Sequence, residues 1–71
     1  MDGSRLRAVR EAKGLTLTEV ARQAKIDPAH LSRVERGRRG LSVESLARVA
    51  KVLELRDLER LLRVHLEESG R

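Results

Sequence analysis

The chain has 71 residues, a formal net charge of +5, no cysteine and no aromatic residue. That length allows one domain, 1–71 with its core over 4–66, and a small one, so tight helical packing or a partner subunit has to help it. The composition excludes disulfides, thiolate metal sites and base stacking on aromatics, and no apolar run approaches the roughly 18 residues of a membrane span.

A first helix is predicted from about Ser4 to Lys13, with Leu6 and Val9 inward and Gly14 as a left-handed stop. The second starts after Thr16, which forms a capping box with Glu19, and it buries Val20, Ala21 and Ala24. The third has Asp27 as cap and Pro28 at its first position, where a missing N–H costs nothing. It buries Leu31 and Val34 and stops at Gly37. After the basic loop Gly37-Arg38-Arg39-Gly40, a fourth helix starts beyond Ser42 and buries Leu46, Ala47, Val49, Ala50 and Leu53. A fifth starts near Asp57 and carries Leu58, Leu61, Leu62, Val64 and Leu66, and residues 67–71 fray. No segment reads as a strand, so the expected fold is an all-α, compact five-helix bundle.

The starts of the second, third and fourth helices share one design. Leu15-Thr16 before Val20, Ile26-Asp27 before Leu31 and Leu41-Ser42 before Leu46 are capping residues held in hydrophobic staples. The second and third starts are so close that only about three residues can separate the two helices. Such a connection is a helix-turn-helix, which places its second helix in the DNA major groove.

Thirteen of the 16 basic residues are Arg, and Arg33, Arg36, Arg38 and Arg39 fall within seven positions whose only acid is Glu35. That cluster favours a polyanion. With Leu31 and Val34 inward, the outward positions of the third helix are Pro28, Ala29, Ser32 and Arg33. Ala29 is small enough to let the helix sit deep and can meet a thymine methyl; Ser32 suits base edges or phosphate; Arg33 can fork onto guanine O6 and N7 or remain an ordinary exposed arginine. His30 reads as a solvated histidine sooner than as a base reader. The start of the second helix offers backbone donors and the hydroxyls of Thr16 and Thr18 to a phosphate, although Thr16 is already engaged as a cap. Arg22, Lys51, Arg60 and Arg63 read as solvated surface charge.

Arg10, one turn from Leu6, and Glu35, beside Val34, are placed to tie the first and third helices together as a bidentate pair, or to stand as two separate charges. Two distant histidines, no cysteine and scattered carboxylates make neither a catalytic triad nor a metal site, so no enzyme, metal or cofactor is expected and no small-molecule ligand is evident. On the fifth helix, Leu58, Leu62 and His65 share one stripe, and Leu61 and Val64 lie along another. One stripe is expected to close the core. The other is left to a second copy of the chain, with Leu61, Val64 and His65 as the contact residues.

Residues 5–55 closely resemble the XRE/Cro family of bacterial and phage repressors. The resemblance lies in Leu6…Arg10…Gly14-Leu15-Thr16, Glu19-Val20-Ala21, Ile26-Asp27-Pro28…Leu31-Ser32-Arg33-Val34-Glu35-Arg36-Gly37 and Leu41-Ser42-Val43-Glu44-Ser45-Leu46…Ala50…Leu53. It implies a lambda-repressor-like bundle that binds double-stranded operator DNA as a twofold homodimer and regulates transcription. It implies base contacts at Pro28, Ala29, Ser32 and Arg33, phosphate contacts near Arg36, Arg38 and Arg39, and pairing of Arg10 with Glu35. Two positions depart from the family pattern: Leu17 stands where many relatives carry a phosphate-holding Gln, and Lys25 stands where many have Gly, so Lys25 has to adopt a positive φ. The rival class is a helical interaction module, antitoxin-like or adaptor, without specific DNA contact. With no signal peptide visible, the expected location is the cytoplasm, on the nucleoid when DNA-bound.

Overall fold

The computed structural model describes residues 3–69, with side chains to Glu67. Its described residues form four helices and no strand: α1 Gly3–Ala12, α2 Leu17–Gln23, α3 Pro28–Glu35 and α4 Val43–Ser69. α3 packs on α1 and α2, and α2 packs on α4. The core is Leu6, Leu15, Val20, Ala21, Ala24, Leu31, Val34, Val49, Val52 and Leu53, with Val9, Leu17, Ile26 and Leu41 packed at its edge. Leu31, Val20 and Val49 are wholly enclosed. Burial of one such side chain contributes about 1.5–3 kcal/mol.

Capping sets the helix starts. The Thr16 hydroxyl accepts from the Glu19 N–H at 3.1 Å while the Glu19 carboxylate accepts from the Thr16 N–H at 3.4 Å. Asp27 Oδ1 accepts from the Ala29 N–H at 2.9 Å, and Ser42 Oγ from the Ser45 N–H at 3.1 Å. The stops are equally local. At each of the first three helices, two backbone bonds close a Schellman motif: Leu15 to Arg10 with Gly14 to Glu11, Ile26 to Ala21 with Lys25 to Arg22, and Arg38 to Arg33 with Gly37 to Val34. The motif needs a left-handed residue. Gly14 and Gly37 supply it at φ 71° and 76°, while Lys25 is forced to φ 57°. The strain expected from a non-glycine at this turn is therefore present.

The five-helix expectation is corrected to four. α4 runs unbroken for 27 residues through the predicted boundary. No Gly or Pro lies between Gly40 and Gly70, so nothing interrupts the backbone ladder. Asp57, the expected cap of a fifth helix, instead forms an ion pair with Lys13. Two further expectations change with it. Ala47 and Ala50 are exposed and Leu46 is half-buried, while Val52 joins Val49 and Leu53 in the core. Neither apolar stripe beyond Asp57 closes the core: Leu58, Leu61, Leu62, Val64 and Leu66 are all exposed. α4 thus extends past the head as a stalk, and the described chain measures 49 × 19 × 18 Å. The helix continues through 67–69, where fraying was expected; Gly70 and Arg71 lie outside the described residues.

Candidate nucleic-acid interface

α3 is held by its inner side and presents its outer one. Leu31, Val34 and Glu35 are buried, Pro28, Ala29 and Arg33 are exposed, and His30 and Ser32 are half-buried. Period 3.6 makes this division: the buried positions 31, 34 and 35 fall on one face and 29, 32, 33 and 36 on the other. Arg36, Arg38 and Arg39 are exposed just beyond the helix. The guanidinium groups of Arg33, Arg38 and Arg39 have no ion pair among the described residues. Arg36 Nε makes only a long bond, 3.4 Å, to the Ser32 carbonyl.

The one acid in this stretch is turned inward. Glu35 is 7% exposed and Arg10 is 8% exposed. Arg10 Nε donates to Glu35 Oε2 at 2.8 Å, Arg10 Nη2 donates to Glu35 Oε1 at 2.9 Å, and Arg10 Nη1 donates to the Leu15 carbonyl at 2.8 Å. The hydrogen bonds to Glu35 raise the Arg10 pKa above the ordinary arginine value, against the opposing effect of burial. The pair joins α1, the turn after it and α3, so the recognition helix has a charge-assisted anchor as well as an apolar one. It also removes the negative charge of Glu35 from the outer face, where Arg33, Arg36, Arg38 and Arg39 remain.

At the start of α2, Thr18 is exposed beside Thr16. The Thr16 hydroxyl donates its one hydrogen to Glu19 Oε1 at 3.0 Å, which leaves it no donor for a phosphate oxygen. Leu17 is half-buried and packs at the core edge, so the position where relatives hold a phosphate serves packing in this chain.

Sequence reasoning missed a set of arginines on α4. Arg48 Nε donates to the Ala24 carbonyl at 2.7 Å; Arg56 Nε and Arg60 Nη2 donate to the Lys13 carbonyl at 3.2 and 2.6 Å. Ala24 and Lys13 directly follow α2 and α1, so these guanidinium groups take up C-terminal carbonyls at the negative ends of two helix dipoles. Arg60, read from sequence as solvated charge, is one of them. The available signal was position: 48, 52, 56 and 60 recur every four residues along the side of α4 that also carries Val49 and Leu53.

Leu61, Val64 and His65 are exposed on the stalk. At 100° per residue, Leu55, Leu58, Leu62 and His65 fall on one line with 3-4-3 spacing, roughly opposite the side that meets the head, with Leu61 and Leu66 flanking it. Charge is segregated as well: residues 1–53 hold 12 of the 16 bases and 6 of the 11 acids, net +6, and residues 54–71 come to −1. Among the described residues no group of His, Asp and Glu could hold a metal ion, and no helix is long and apolar enough to cross a membrane.

The Helix-turn-helix family model matches residues 6–61. Among solved structures, the chain is similar to the crystal structure of the clp gene regulator ClgR from Corynebacterium glutamicum, at 34% identity over 94% of this chain and 87% of that one, with a TM-score of 0.64. No curated protein sequence gives a significant match.

Proposed function

The chain belongs to the XRE-type helix-turn-helix family, a family of DNA-binding transcriptional regulators, and from that premise we propose that it is a sequence-specific repressor that binds a palindromic operator as a homodimer. The observation that carries the reading is the inward turn of Glu35. Because that carboxylate is enclosed with Arg10, the exposed surface from Pro28 to Gly40 carries four arginines and no acid. An interaction module has no need of so one-sided a surface; a duplex does.

The roles follow from placement. Ala29, Ser32 and Arg33, with Pro28 at the helix start, face base edges, and Arg33 forks onto a guanine. Arg36, Arg38 and Arg39 lie along phosphates at the far end of the helix, and Thr18 contributes a hydroxyl at the start of α2. Thr16 serves this side through its cap.

The second copy covers the stalk. A free helix with leucines at 55, 58, 61, 62 and 66 is a contact surface, and its net negative charge speaks against a polyanion there. The line through Leu55, Leu58, Leu62 and His65 has coiled-coil spacing and faces away from the head, so two stalks can pair while both recognition helices stay outward. Leu61 and Leu66 flank that contact, and Val64 lies off it, toward the head side of the helix. A twofold pair places the recognition helices about 34 Å apart, one turn of DNA.

The test is a mismatch panel read by fluorescence anisotropy. Arg33→Ala relaxes the base preference at one position of each half-site, whereas Arg38→Ala weakens binding to all sequences alike. Uniform losses for both substitutions would remove Arg33 from base reading.

A further inference from the structure

The apolar docking of α4 on the head ends at Leu53, the last core residue among those described. Beyond it lie 16 described residues, an arm of about 24 Å at 1.5 Å per residue. A pivot of only about 10° at Leu53 would move the far end by about 4 Å, comparable to one base-pair step, given about 34 Å per 10 base pairs. A dimer built on the stalks needs something to fix that angle.

We propose that Arg56, Asp57 and Arg60 clamp the stalk to the Lys13 turn and thereby set the operator spacing that the dimer accepts. The inference rests on the twofold reading above. Arg56 Nε and Arg60 Nη2 converge on the Lys13 carbonyl, and Asp57 pairs with the Lys13 ammonium group. Both polar ends of Lys13 are thus held from three positions within five residues of α4. Arg60 also lies close over Gly14, where an added Cβ would come within 3.1 Å of Nη2. Lys13 ends the turn of α1, and α1 carries Arg10, which holds Glu35 at the end of α3. The contacts therefore run from stalk to recognition helix: Arg56, Asp57 and Arg60 to Lys13, through the last turn of α1 to Arg10, and on to Glu35. All three clamp residues are positioning residues, remote from the outer face of α3.

The experiment compares the full chain with Arg60→Ala and with Asp57→Asn, two substitutions at exposed positions, and with Arg60→Lys, which keeps a donor for the carbonyl. Sedimentation gives the mass. Anisotropy gives affinity for a single half-site and for palindromes whose half-site centres are stepped one base pair at a time. The unsubstituted dimer is expected to favour one spacing by about tenfold over its neighbours. Arg60→Ala and Asp57→Asn remain dimers with half-site affinity within about twofold of the parent, and their spacing preference falls to about threefold or less. Arg60→Lys restores the preference. If both substituted dimers keep the parent's spacing profile, the clamp is overturned. A monomeric parent overturns the twofold reading itself, and the clamp's role with it.

Discussion

Separating Arg10 from Glu35 should cost this protein a large part of its stability. A 71-residue domain has roughly 4–11 kcal/mol to lose, at about 0.05–0.15 kcal/mol per residue. Glu35→Leu strands a guanidinium that is 8% exposed; the nearest other carboxylate, Glu11, lies 3.9 Å away and is already engaged by Arg7. Arg10→Met strands the carboxylate of Glu35, a residue 7% exposed, and the Leu15 carbonyl loses the donor that Arg10 Nη1 supplies. Either change leaves a buried charge unpaired, at about 3–5 kcal/mol. For a domain of this size about 4–8 °C of Tm goes with each kcal/mol, so each single variant should melt about 12–40 °C lower. The double variant Arg10→Met/Glu35→Leu buries no charge and should recover most of the loss, remaining about 1 kcal/mol below the parent because the Leu15 carbonyl is left without its side-chain donor. Chemical denaturation followed by circular dichroism gives the four stabilities of the cycle. A coupling of at least about 2 kcal/mol is expected. A coupling below about 0.5 kcal/mol would mean that the two charges act independently, and the anchor argument for α3 would fail.

Lys25→Gly removes the left-handed strain at the end of α2 and should raise stability by about 1 kcal/mol in the same assay, the relief being partly offset by the freer unfolded chain; an unchanged or lower midpoint would contradict it. Duplex affinity should fall with salt at a log–log slope near −5, for roughly 6 phosphate contacts per dimer; a flat response would remove the electrostatic footing of the interface. Leu58→Glu or Leu61→Glu should give a monomer by sedimentation at micromolar concentration while α-helical content holds. A parent that is already monomeric would refute the stalk contact.

The head was legible in the sequence because its signals are local. Thr16 with Glu19, Asp27 with Pro28, and Ser42 each mark a helix start within four residues, and Gly14 and Gly37 mark stops by the one backbone conformation that glycine adopts freely. The positive φ of Lys25 was foreseeable only through the family resemblance, because many relatives carry Gly at that turn. The outward side of α3 could be written down from period 3.6 alone. The end of α4 was not legible in this way. Asp57 is a good cap in isolation, but with no Gly or Pro between Gly40 and it the helix runs on, and its carboxylate is used instead by Lys13, 44 positions away. The leucines past Asp57 read as a core stripe because periodicity marks an apolar face and does not say what covers it. Arg48, Arg56 and Arg60 were equally hidden, since their acceptors are backbone carbonyls that carry no sequence identity.

Selection of bound duplexes from a random library, using the full chain, tests the central claim most directly. The expected result is enrichment of an inverted repeat whose half-site centres lie about 10 base pairs apart, with a guanine in each half-site whose preference Arg33→Ala abolishes. A library that emerges without an enriched repeat, or a repeat that Arg33→Ala leaves unchanged, would contradict it.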